Sequence, residues 1–479
     1  MWTMRRRLGL LVLCGVTLLA GCGDDDDGTA GSDGGGLCTS AAVSAALAAA
    51  GPGDVVSLGA CRVTGPFTVP ASVRLRGAGV ASSVVVAPAD GVALTLVPGA
   101  AATPTQLQAI TIESAGRAAV VIKGAGAAGL DSVNIAMTKG VGVATDQSTV
   151  TLQDVNITGD IEPADALTLP LLPDPASYPA HGLVAIGGDL TLRRFSASKL
   201  AATGVSFSAS TASWAGGSAC DNAGIGVRAD GGTLLLTDVT ACRTLQSGLN
   251  PVFGMLFTGG VVVTSSGVKL MDNERFGIAH VGSNGSHTDL VGMRNGDPAV
   301  WVQESTSFQL KGAGSMLVGN KFNALVVRDS SNVTLRDAMI TDTVMQQRTT
   351  IPAPGQPSGP VTNGDGIQLV RATASVVQDV TLVNNGRIGM LLDVGSGSIG
   401  DVQIMGRVPV SGPANGALMQ STTGMVALGT GGWDSAVIRD AATLARDTAA
   451  SMRLGTVGVG VISPQILPSP LRALADLRL

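Results

Sequence analysis

A four-residue pattern returns along most of the chain: Gly or Ala, an apolar residue, any residue, then an apolar residue. It stands as AVVI from 119, GVGV from 140, GLVA from 182, GVSF from 204, GIGV from 224 and GMLF from 254. It continues as GIAH from 277, AVWV from 299, ALVV from 324, GIQL from 366 and GMLL from 389. The second position is always apolar and the fourth fails once, at His280. Alternation with a period of two puts positions two and four on one face of a strand. Most units repeat after 20 to 25 residues and carry a second alternating run, as in TVTLQDVNIT, TLLLTDVTACR and NVTLRDAMIT. Turn residues such as Asp272-Asn273, Gly319-Asn320 and Asn384-Asn385 close many of them.

A unit this short, with two or three strands and no helical stretch, cannot bury its own apolar face. It can pair with the same strand one unit later, about 4.8 Å away in a parallel ladder. GDVVSLGACRVTGPFTVPASVRLRGAG, from residue 53, shows the need: its short apolar runs carry neither a hairpin dipeptide nor a crossover helix. The pattern predicts an all-β, right-handed parallel β-helix over residues 38–428. SAAVSAALAAA from 40, with Thr39 or Ser40 as N-cap, reads as a helical cap on the first turn. The helical run SAVIRDAATLARDTAASMRL lies in a C-terminal capping segment, 429–479.

The cysteines agree with this winding. Cys38 and Cys61 lie 23 residues apart, and Cys220 and Cys242 lie 22 apart, each about one unit. Equivalent positions in adjacent turns fall within disulfide reach, so the spacing predicts Cys38–Cys61 and Cys220–Cys242 bridges.

At the amino terminus, MWTMRRR is a basic stretch and LGLLVLCGVTLLA an apolar run too short to span a bilayer comfortably. Leu19-Ala20-Gly21-Cys22 follows and resembles the lipobox of bacterial lipoproteins. The resemblance implies a signal peptide over 1–21, cleavage before Cys22, and a lipid on the Cys22 sulfur. The protein would then reside in the cell envelope, held to a membrane by that anchor, where disulfides form. Residues 22–37, GDDDDGTAGSDGGG and its flanks, read as a flexible solvated tether.

Composition narrows the classes. The chain holds 479 residues with 66 Gly, 3% aromatic and 14% charged residues, which suits stacked turns better than a helical domain. The net charge is −5, and losing Arg5, Arg6 and Arg7 with the leader leaves 27 basic against 35 acidic residues. No nucleic-acid partner is expected. GAGAAG from 124 matches a dinucleotide fingerprint, but a strand-like run follows it and not a helix, so no nucleotide is expected either.

The stretch AALAAAGPGDVVSLGACRVTGPFTVPASVRLRGAG, with the turns after it, resembles the start and repeats of the pectate-lyase-like right-handed β-helix superfamily. That scaffold hosts lyases, hydrolases and adhesins, so the resemblance implies the fold and leaves the chemistry open. Uronic-acid lyases of the superfamily stack carboxylates for Ca²⁺ beside a basic proton acceptor. Glu304, Asp329 and Arg371 are the weak counterpart here, at one equivalent turn position in three successive units. A surface ion-pair ladder is the plainer reading of the same residues. The paired aspartates and the Gly-His-Gly and Arg-x-Lys motifs of polygalacturonase-like hydrolases are not found.

Two long insertions, 160–180 and 345–366, and two shorter ones, 243–253 and 406–415, fall in the same slot before a tetrad strand. Between the long ones, the outward third positions Val184, Ser206, Gly226, Leu256, Ala279, Trp301, Val326 and Gln368 form a strip over 182–371. The expectation is a binding or structural module, with a polysaccharide or protein ligand on that strip. A polysaccharide lyase or glycoside hydrolase is the alternative. No other cofactor is expected, and no metal: His280 and His287 lack a zinc-site spacing, and His280 is expected inside, between Phe257 and Val302, with a hydrogen-bond partner.

Overall fold

In the computed structural model the described residues are 36–161, 179–245, 252–349, 360–386, 389–393, 397–405, 417–420 and 426–428. Cys22, the leader, the tether as far as residue 35 and the 429–479 segment lie outside them. So do the centres of the insertions and all of 406–415. Leu37, at the end of the tether, already bridges to Leu58 in parallel.

The chain is a parallel β-solenoid of about 13 turns. Right-handed winding is the sense that crossover chirality favours for parallel strands. Three ladders run along it. The tetrad strands form the first, from Phe67–Val69 and Val92–Leu96 through Phe253–Thr258, Phe276–Val281 and Val300–Gln303 to Asp365–Val370 and Met390–Asp393. The second begins with Val55–Ser57 on Arg74–Arg76, and the third with Arg62–Thr64 on Val84–Val86. Long strands such as Val205–Cys220 and Ile225–Cys242 serve all three ladders in one pass, pairing from Val205↔Val227 to Cys220↔Cys242.

Each strand of the solenoid finds its partner one turn on, as the pattern requires, whereas Gln346–Thr349 and Pro360–Asn363 pair with each other, antiparallel, within the 345–366 insertion. Positions two and four of the tetrads, such as Met255 and Phe257 or Val120 and Ile122, lie in one continuous interior core. Position one is Gly or Ala because neighbouring turns touch there. A Cβ on Gly254 would stand 2.5 Å from the Gly277 carbonyl oxygen, and one on Gly277 2.5 Å from that of Ala299.

Two tetrads are framed differently from the sequence reading. Val120 pairs with Val143, and Val205 with Val227, so the units read from 140 and 224 start two residues later. Where Gly-x-Gly-x repeats the spacer, either frame satisfies the pattern. The outward third residue of the second unit is therefore Arg228 and not Gly226.

The opening helix, Ser40–Ala49, covers the first turn with Val43 and Leu47 buried, and Thr39 Oγ1 accepts from Ala42 N at 3.2 Å. Cys38 is bonded to Cys61 and Cys220 to Cys242, with Cα separations of 5.6 and 4.5 Å. Inside one corner the asparagines stack. Asn273 Nδ2 donates to Asn295 Oδ1 at 2.8 Å and Asn295 Nδ2 to Asn320 Oδ1 at 2.9 Å. These residues read as turn closers in sequence, yet they are interior pillars.

Candidate functional site

The strip between the insertions runs along the outer face of the tetrad ladder. Its register is Val184, Ser206, Arg228, Leu256, Ala279, Trp301, Val326 and Gln368. Outward does not mean exposed here: every one of these is buried, from 0% to 6%. Ile225, Phe253, Leu256, Phe276, Ala279, Val281, Trp301 and Val326 make a second apolar cluster, separate from the interior core. Phe253 stacks on Phe276 at 5.1 Å, and Trp301 meets Phe276 edge-on at 5.9 Å. Arg275 lies 5.4 Å from the Phe276 ring centre and its Nε donates to Asp297 at 2.7 Å. The aromatic pair was missed in sequence. Its signal was the dipeptide Phe-Gly at 253 and again at 276, one unit apart.

Both ends of this layer are polar. At one end His181 is buried, and burial first, then the Arg228 charge, pushes its pKa down to about 4. Arg228 itself is pulled below its usual range by burial, against the opposing pull of Asp230. At the other end Gln368 Nε2 donates to Asp365 Oδ2 at 2.5 Å, and Asp365 N donates to Asn323 Oδ1 at 3.1 Å. Buried His181 Nδ1, Trp301 Nε1 and Asn323 Nδ2 have no hydrogen-bond partner.

Glu304, Asp329 and Arg371 do stack at one corner, each with positive φ (55°, 49° and 48°) just after the paired residues Gln303, Arg328 and Val370. Their side chains are engaged as an ion-pair ladder. Arg371 Nη2 donates to Asp329 Oδ2 at 2.6 Å, and its Nε donates to Oδ1. Arg328 Nε donates to Asp329 Oδ2 at 3.0 Å. The Arg371 hydrogen bonds, helped by Arg328, hold the Asp329 carboxyl below the usual carboxylate range. Glu304 Oε1 instead accepts from Gln303 Nε2 at 3.1 Å. Such a cluster can bind counter-charge, but its guanidinium donates protons to hydrogen bonds and does not take one. Among the described residues, no three His, Cys, Asp or Glu side chains group to hold a metal ion.

His280 points inward, as its place in the tetrad demands, and registers between Phe257 and Val302. What the spacing did not reveal is its partner. His287 lies on the inward face of the next strand, Asn284–Thr288, and the two Nε2 atoms are 2.9 Å apart.

No family model and no curated protein matches the chain in sequence. Solved structures do match it. The Vag8–C1 inhibitor complex matches at 13% identity over 80% of this chain and 88% of that one, with a TM-score of 0.41. The periplasmic alginate epimerase AlgG matches at 10% over 79% and 85%, with 0.38. The mannuronan C-5 epimerase AlgE4 A-module of Azotobacter vinelandii matches at 15% over 81% and 97%, with 0.35. Likenesses at this level concern winding and carry nothing about ligand or activity.

Proposed function

We propose that this chain is an exported, lipid-anchored β-helix that acts as a binding and structural module at the cell envelope, with a polysaccharide or protein as ligand. The basic leader, the Leu-Ala-Gly-Cys run and the acidic tether support export and anchoring through Cys22. The two bridges between adjacent turns suit an oxidising compartment.

The observation that carries the choice of module over enzyme is the state of Asp329. Both its oxygens accept from arginine. A lyase step would need Arg371 as a free proton acceptor and the carboxylates open to Ca²⁺, and neither condition fits that arrangement.

Two measurements test the reading. Metabolic labelling with palmitate should mark the wild-type chain and not Cys22→Ser. Incubation with a polysaccharide panel, with and without Ca²⁺, should give binding without new unsaturated or reducing ends. Release of such ends, lost in Arg371→Ala, would establish the enzyme instead.

A further inference from the structure

The interior holds a polar chain that the proposed function does not use. Ser265, His280, Ser283 and His287 are buried to 2% exposure or less, beside the apolar side chains of Phe257, Val302, Phe308 and Leu310. Ser283 Oγ donates to the Phe257 carbonyl at 3.1 Å, which spends its hydrogen. Its 3.1 Å contact with His280 Nδ1 therefore needs the hydrogen on that nitrogen. In a neutral ring this leaves His280 Nε2 bare, so the 2.9 Å contact is donated by His287 Nε2. His287 Nδ1 is then bare in turn and accepts from Ser265 Oγ at 2.7 Å. One assignment satisfies every contact: two neutral imidazoles of opposite tautomer.

We infer that this chain from Ser265 to the Phe257 carbonyl is an acid-released latch, which binds adjacent turns across the solenoid interior while neutral and opens them on taking up one proton. A proton on His280 Nε2 sets two N–H groups against each other. A proton on His287 Nδ1 reverses the Ser265 bond and leaves that hydroxyl hydrogen without its acceptor. In both cases the new charge has no counter-charge. The register partners facing the rings from the turns on either side are Phe257, Ser265, Val302 and Leu310, and none of them titrates. Phe308 packs on both rings at 5.5 Å. Gly285 leaves the rings their room, since a Cβ there would stand 2.5 Å from His280 Cε1. Burial accordingly holds His287 near 4, and burial with the neighbouring ring holds His280 well below its usual range.

The test uses the full chain in detergent micelles, labelled with ¹⁵N at its three histidines. At pH 7 the spectrum should show one ring protonated at Nδ1 and another at Nε2, assigned by His280→Gln and His287→Gln, with neither titrating near 6.5. As pH falls from 6.5 to 4, rate-corrected amide exchange over 253–311 should rise up to about tenfold per unit for each proton taken up. Residues 105–158 should lag, and the double change His280→Leu with His287→Leu should remove the difference. Equal tautomers, either ring titrating near 6.5 in the folded chain, or acid exchange that is uniform along the solenoid would overturn the latch. If the double variant does not fold, the wild-type spectrum and exchange decide alone.

Discussion

Asp272 and Asn273 are neighbours in sequence, as are Arg294 and Asn295 one turn later, and the corner sorts each pair into opposite surroundings. Outside, Arg294 Nε donates to Asp272 Oδ1 at 2.7 Å, with the two side chains 56% and 38% exposed. Inside, Asn273 and Asn295 are bonded amide to amide and are almost wholly buried. Both contacts join the same two turns at the same offset. They differ in what replaces them when broken. Water takes over at the outer pair, whereas nothing does at the inner one. The Asp329–Arg371 pair belongs with the outer class, which is why stacked charges on a solenoid corner are weak evidence of chemistry.

The sharpest way to break this contrast is Asn295→Ala. It strips acceptors and donors from Asn273, Asn320 and the Leu270 carbonyl together. A loss of about 3–5 kcal/mol is expected from leaving several buried polar groups unmet, read as a fall in the denaturation midpoint. Next in size is Cys220→Ser with Cys242→Ser, which frees a loop of 22 residues and should cost about 3 kcal/mol.

Acid separates the two environments by sign. His287 has a folded pKa of about 4 against 6.5 for the free side chain, so below 6.5 the unfolded chain takes the proton first. Stability should fall as pH drops from 6.5 towards 4. The Asp329 contribution is held above its ordinary value of 3.8 and is lost only as pH falls through its lower folded value. A titration of the denaturation midpoint should therefore show the loss well before carboxylates protonate. Smallest of all, Arg371→Ala should change stability by about 0–1 kcal/mol, and Arg294→Ala should leave the midpoint unmoved.

The winding was legible because the tetrads repeat the one fact a solenoid needs, an inward second and fourth residue, and because the cysteine spacings equal one turn. The frame slipped at 140 and 224, where glycines two residues apart fit either register. Alternation tells which face a residue takes, not what covers that face, so Trp301 and Leu256 read as surface although they are packed. Asn273 and Asn295 carry the composition of turns, and only the fold turns them inward. The Glu304, Asp329 and Arg371 column was legible as a column. Its pairing was not, because the reach of Arg371 to Asp329 depends on side-chain direction at a corner.

The account rests on each turn lying against its neighbours, and the disulfides report that most directly. Proteolysis of the unreduced protein followed by mass spectrometry should recover peptides joined through Cys38–Cys61 and through Cys220–Cys242. Bridges between the two pairs, such as Cys61 to Cys220, would contradict the stacking.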